Sequence, residues 1–149
     1  MSMEQQTILF IEVDDETRSV IKANLQRDGY RVLAALDEED ARERTSGGRL
    51  RPDLILIDLD APPLEVLDIA RDIRRQAELP DETPIVVISC EHSPELAGKD
   101  VPVSAADYIT YMDEENPLAG LLRRLLKTKA TSRGNRVENF GAYPPQSLA

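Results

Sequence analysis

The sequence predicts an α/β protein built on a doubly wound, five-stranded parallel sheet. Three observations carry that prediction. Short apolar runs alternate with helical patterns along most of the chain. Two of the runs, Leu54–Ile57 and Ile85–Ile88, are apolar at consecutive positions, the mark of a strand covered on both faces. The 149 residues suffice for one domain with one sizeable core and are too few for two ordinary ones.

Each element has its own warrant. Ile8-Leu9-Phe10-Ile11 is a strand-length run followed by Glu12. Asp14-Asp15-Glu16 opens a helix, with acids in the first turn where the helix dipole favours them. Val20, Ile21 and Leu25 mark its apolar face, and Gly29 stands where a C-terminal cap belongs. Tyr30–Ala35 reads as the second strand. Asp37 caps a short helix through about Arg44, ended by Gly47-Gly48. Leu54–Ile57 is the third strand, and Pro62-Pro63 breaks the chain after it. A helix over about Leu64–Ala77 carries Leu67, Ala70, Ile73 and Ala77 along one side. Ile85–Ile88 is the fourth strand and Tyr108–Thr110 a short fifth. Between them, Pro94, Gly98 and Pro102 with little apolar content predict a short or distorted helix. In the last helix, Asn116 caps and Pro117 takes the first position. Leu118, Leu121, Leu122, Leu125 and Leu126 then form one stripe.

Composition narrows the chemistry. Lys and Arg number 18 against 28 Asp and Glu, a formal charge of -10. Such an acidic surface repels phosphate backbones and anionic headgroups, so neither nucleic acid nor membrane is an expected partner. No apolar run approaches a membrane span, and the polar Met1–Thr7 segment shows no secretory signal. A cytoplasmic location is expected. One cysteine, Cys90, and one histidine, His92, leave no internal disulfide and no Cys- or multi-His metal site. Cys90 reads as a small buried hydrophobe and His92 as a surface-loop residue. Residues 1–126 carry -13 and residues 127–149 carry +3. That last segment has four Gly and Pro residues and no periodic apolar face, so 129–149 reads as a flexible tail. The expected organisation is a short tail over 1–6, a domain over 7–128 and the tail over 129–149.

Carboxylates must therefore carry whatever chemistry the chain has. Ligands of parallel α/β sheets bind outside the carboxyl ends of the strands. Strand one ends at Glu12, strand three at Asp58, strand four at Ser89 and strand five near Tyr111. Glu12, Asp58 and Ser89 should share a pocket. Asp58-Leu59-Asp60 also matches the acid-x-acid start of haloacid-dehalogenase-type phosphatases, but there it follows the first strand, and here it follows the third.

Over residues 7–127 the chain resembles the receiver domain of bacterial two-component response regulators. Pro52-Asp53-Leu54-Ile55-Leu56-Ile57-Asp58 with Pro62 is similar to the family's phospho-acceptor segment. Pro84-Ile85-Val86-Val87-Ile88-Ser89 is similar to its Ser/Thr segment, and Ala106-Asp107-Tyr108-Ile109-Thr110 to the approach to its lysine. The resemblance implies the flavodoxin-like strand order 2-1-3-4-5 with five flanking helices. It implies Asp58 as phospho-acceptor, Ser89 as a phosphoryl-binding hydroxyl and Tyr108 as the switch aromatic. It also implies Mg²⁺ as cofactor, held by acids at the end of strand one, the acceptor and the backbone carbonyl of Asp60.

Two departures stand out. Arg18 and Gly29, landmarks of the first receiver helix, place the family's acid pair at Glu12 and Val13, so the second acid is missing. Sliding the pair onto Asp14-Asp15 is the alternative, at the expense of the helix start. The lysine position is Tyr111, followed by Met112. Val13 supplies no oxygen, which leaves Glu12, Asp58 and the Asp60 carbonyl, and Mg²⁺ binding is expected to be weak or absent. Tyr111 offers a neutral hydroxyl in place of a cation. With Glu12 and Asp58 and no lysine, the pocket would carry -2.

Two functions follow from the resemblance. One is a single-domain response regulator that takes a phosphoryl group on Asp58 from a sensor histidine kinase or phosphotransfer protein. It would signal to a downstream protein target by contact, since the 22 residues after Lys127 are too few for a DNA-binding domain. The other is a pseudo-receiver, an interaction module that works without phosphorylation because of Val13 and Tyr111. Neither is an enzyme in the ordinary sense.

Overall fold

The structure, a computed structural model, describes residues 5–89, 95–112 and 118–126. Cys90, His92, the Asn116–Pro117 cap and the C-terminal tail lie outside the described residues. The chain divides into two compact units after Leu118.

In the first unit the elements run β1 (Thr7–Glu12), α1 (Asp15–Arg27), β2 (Arg31–Ala35), α2 (Glu38–Thr45), β3 (Leu54–Asp58), α3 (Pro63–Gln76), β4 (Ile85–Ser89), β5 (Asp100–Ser104) and β6 (Asp107–Tyr111). A single turn of 3₁₀ helix, Ser46–Gly48, follows α2. All six strands form one sheet in the order β2-β1-β3-β4-β6-β5. The five strands expected from the sequence are parallel neighbours in the expected order, β6 being the fifth. The middle strands β1, β3 and β4 bury nearly every residue, as their unbroken apolar runs require.

The helices begin and end on local signals. Asp14 accepts from the Thr17 N–H at 2.7 Å and caps α1. Asp37 accepts from Asp40 N–H and caps α2. Pro63 sits in the first turn of α3, where its missing N–H leaves no bond unmade. Gly29 takes φ +102° after α1, a backbone that side chains with a Cβ resist. One expectation fails on α1: Val20 is 56% exposed, and Leu25, with half-buried Ile21, makes the buried face. In the second unit the described residues, 119–126, are helical, as is Leu118 before them. Leu118, Leu121, Leu122 and Leu126 are buried, whereas Arg123 and Arg124 are exposed.

The sequence predicted a short or distorted helix before the last strand. Among the described residues there is none. The segment instead forms β5, which pairs antiparallel with β6 through Val101–Ile109 and Pro102–Tyr108. Val101 and Val103 are β-branched, and Pro102 between them would remove a hydrogen bond from a helix interior. An edge strand tolerates that loss. Thr110 Oγ1 donates to Asp100 Oδ1 at 2.8 Å and ties the two strands.

At the start of β6, Asp107 is buried and accepts from Arg71 Nε (2.8 Å), Arg74 Nη1 (3.0 Å) and Ser104 Oγ (2.6 Å). Burial alone would raise its carboxyl. Ser104 and the two guanidinium groups outweigh that and hold it below the usual carboxylate range. This cluster fastens the hairpin to α3. Asp107→Ala leaves Arg74, largely buried, without its carboxylate, and should lower unfolding free energy by about 3 kcal/mol. A urea melt checks it, and an unchanged midpoint would mean that water already screens the cluster.

Candidate functional site

The site is set by register. Ile8–Ile11 of β1 lie beside Leu54–Ile57 of β3, so the next pair is Glu12 against Asp58. On the far side of β3, β4 ends at Ser89, which is paired in turn with Tyr111 of β6. The carboxyl ends of β1, β3 and β4 thus open into one pocket of about 460 Å³. Glu12, Asp58, Asp60 and Ser89 line it, as do Asp14 and Thr17 from the start of α1.

The register also answers the strand-one question. Glu12 ends the strand and is buried, while Asp15 already belongs to α1 and pairs with Arg18 on the surface. Val13 follows Glu12 with its side chain 48% exposed. The acid pair is therefore not at Asp14-Asp15. Even so, Asp14 reaches the pocket, which the sequence reading missed. The sequence marked it only as an acid at the start of α1; its cap and its pocket place follow from the structure, the loop lying at the carboxyl end of the sheet. The pocket is more acidic than two carboxylates, since Asp14 and Asp60 line it too, and no Lys or Arg is among its described lining residues. Arg18, which does not line the pocket, donates to the Glu12 carbonyl at 2.7 Å.

Glu12 is the most constrained of these groups. Its side chain curls so that Oε2 accepts from the Asp14 N–H at 3.1 Å. Its Oε1 is buried and has no hydrogen-bond partner. Asp58 lies against it. Burial first, then the Glu12 carboxyl, then the charges of Asp14 and Asp60, push the Asp58 carboxyl up to about 8. Two ionised carboxylates only accept, so the Glu12–Asp58 contact becomes a hydrogen bond only with a proton between them. Asp14 moves the other way: the Thr17 backbone N–H holds its carboxyl below the usual range.

Tyr108 and Tyr111 take different positions. Tyr108 is half-buried in β6, between Val86 of β4 and Pro102 of β5. Tyr111 is 9% exposed, packs within the apolar core cluster, and is not among the pocket's lining residues. Its backbone is held on both sides. Its N–H donates to the Lys99 carbonyl at 2.9 Å, and its carbonyl accepts from Gly98 at 2.7 Å. The next residue, Met112, donates to the Ser89 carbonyl.

Residues 8–118 match the response regulator receiver domain. The chain belongs to that family. The transcriptional regulatory protein AfsQ1 of Streptomyces coelicolor is 28% identical over 136 residues, 91% of this chain and 56% of that protein. The chain spans about half the length of the curated relatives it matches. A response regulator from Thermotoga maritima is similar in structure, with a TM-score of 0.60, 25% identity and coverage of 85% of this chain and 99% of that one. The response regulator TrrA, solved in complex with the histidine kinase ThkA, superposes with a TM-score of 0.59 at 21% identity, over 82% and 99% of the two chains. The chain is thus a signalling module of two-component systems rather than a classical enzyme, and receiver domains pair with histidine kinases.

Receiver domains typically bind Mg²⁺, and the residues here suit such an ion. Glu12 Oε1 is a buried acceptor with no donor, and Asp58 beside it is the second oxygen donor. Two carboxylates are what Mg²⁺ usually takes from a protein. Among the described residues no group of three acids converges closely enough to hold a metal directly.

A raised Asp58 carboxyl makes stability depend on pH. The folded protein keeps a proton that the unfolded chain loses near its ordinary value of 3.8, so stability falls as pH rises from about 4 to about 8. Asp58→Asn removes that dependence and supplies an amide N–H that Glu12 can accept. In EDTA at pH 7 the variant should be more stable by on the order of 1 kcal/mol, allowing for solvent at the pocket mouth. Thermal melts at pH 5 and pH 8 check this: the wild type should lose stability across that interval and the variant should not.

Proposed function

We propose that Asp58 accepts a phosphoryl group and that the domain passes the resulting change to a protein partner by contact. The register that sets Asp58 beside Glu12, with Ser89 one strand away, supports this most directly. The donor would be the phosphohistidine of a sensor kinase or phosphotransfer protein, on the cytoplasmic side of the membrane. In that reaction an ionised Asp58 oxygen attacks phosphorus, the bond to the donor breaks, and an acyl phosphate forms on Asp58. Asp58, whose carboxyl is raised, has to lose its proton first. Ser89, at the end of β4, is the hydroxyl within the pocket for a phosphoryl oxygen. A bound Mg²⁺, held by Glu12, Asp58 and the Asp60 carbonyl, would neutralise charge as the phosphoryl group arrives.

A second reading is favoured by specific observations. Val13 carries no oxygen to the pocket, Tyr111 lies in the core, and no described lining residue is cationic. The same fold would then serve as an interaction module whose contact does not depend on phosphate. The β5–β6 hairpin, where a fourth helix was expected, gives that module a remodelled face.

Labelling with acetyl phosphate, read by intact mass with and without Mg²⁺, separates the two. The wild type should gain one phosphoryl group slowly, and Asp58→Asn none. Val13→Asp restores a direct ligand, and Tyr111→Lys restores a cation. Because both act on one transferring group, the double variant should gain more than the two single variants combined. Fast, complete labelling of the wild type would remove the second reading. A folded double variant that stays unlabelled would remove the first.

A further inference from the structure

We infer that Asp14 does the work that position 13 cannot, supporting through water a divalent cation held directly by Glu12 and Asp58. The inference rests on the reading of this pocket as a phosphoryl-acceptor site and assigns part of its metal chemistry to a residue outside the family's acid pair.

Four observations converge on Asp14. Glu12 lines the pocket, is 3% exposed, and its Oε1 is buried without a partner, so an unsatisfied acceptor sits in the pocket wall. Its other oxygen is held by the Asp14 N–H, which fixes the Glu12 carboxylate and the start of Asp14 in one turn. That turn puts Asp14 on the pocket wall. Asp14 Oδ2 accepts from the Thr17 N–H in capping α1, and the residue stays exposed to solvent.

The chemistry of the ion fits an indirect role. Mg²⁺ takes one or two carboxylates, keeps several waters and dehydrates reluctantly. Three acids do not converge on one point here, so a third direct carboxylate is unsupported. A carboxylate at the pocket wall instead accepts hydrogen bonds from waters on the ion. Such outer partners are worth 10- to 100-fold in metal affinity. Val13, with no polar atom, has no comparable role. A chain that lacks the second acid in the strand can thus recover part of its function from the helix cap.

The test uses metal binding alone, with no phosphoryl donor. Asp14→Asn removes the charge and keeps a good N-cap, since Asn and Asp cap about equally well. Asp15→Asn, next along the chain and on the surface, controls for general charge. Mg²⁺ affinity by isothermal titration calorimetry, and Mn²⁺ affinity by electron paramagnetic resonance, should weaken about 10-fold in Asp14→Asn. The change in Asp15→Asn should stay under about 2-fold, the range of an exposed charge in salt. Melts in EDTA should find both variants folded. Equal affinity in Asp14→Asn and wild type would overturn the role of Asp14 and leave the acceptor reading standing, since labelling of Asp58 is measured separately. A folded wild type that binds neither ion at millimolar concentration would overturn the cation seat itself.

Discussion

The structure turns on two carboxyl groups held side by side at the ends of adjacent parallel strands. The pairing of β1 with β3 leaves Glu12 no position except beside Asp58. Both strands are buried along their length, so a slip by one residue would exchange the side chains packed on the two faces and draw a polar end residue into the core. The core therefore enforces a contact that electrostatics opposes. Hydrophobic burial of the central strands, at roughly 25 cal/mol per Å² of apolar surface, is large enough to hold it. The penalty appears locally, as the raised Asp58 carboxyl and the unpartnered Glu12 oxygen.

From that constraint the rest of the site follows. A proton or a cation relieves the crowding. The two departures from the family pattern differ in structure. The Val13 side chain brings no oxygen to the pocket, where Asp14 also lines the wall. Tyr111 does more: its ring joins the core and its backbone is bound to residues 98 and 99 of the hairpin. Restoring a cation there means taking a side chain out of the core as well as adding charge.

Most of this was legible in the sequence. Apolar runs at consecutive positions marked the central strands, and Arg18 and Gly29 placed Glu12 at the strand end. The cap Asp37 and the acids Asp14-Asp15-Glu16 were visible at the starts of helical patterns. Two features were not. Pro102 and Gly98 read as helix breakers, and so they are, but Val101 and Val103 around Pro102 make an edge strand rather than a broken helix. Pairing with β6 decides that outcome, and pairing is a long-range fact that local propensity does not contain. Asp14 was read only as a first-turn acid of α1 because its place in the pocket comes from topology. Every β-to-α turn in a parallel sheet lies at the same edge, so a cap after β1 is also a pocket residue.

The central claim, that core packing holds Asp58 against Glu12 and so raises its carboxyl, is tested most directly by carbon-13 NMR of the Asp58 side-chain carboxyl across a pH titration in EDTA. The account predicts an Asp58 carboxyl pushed up to about 8. An Asp58 midpoint near 4 would contradict it.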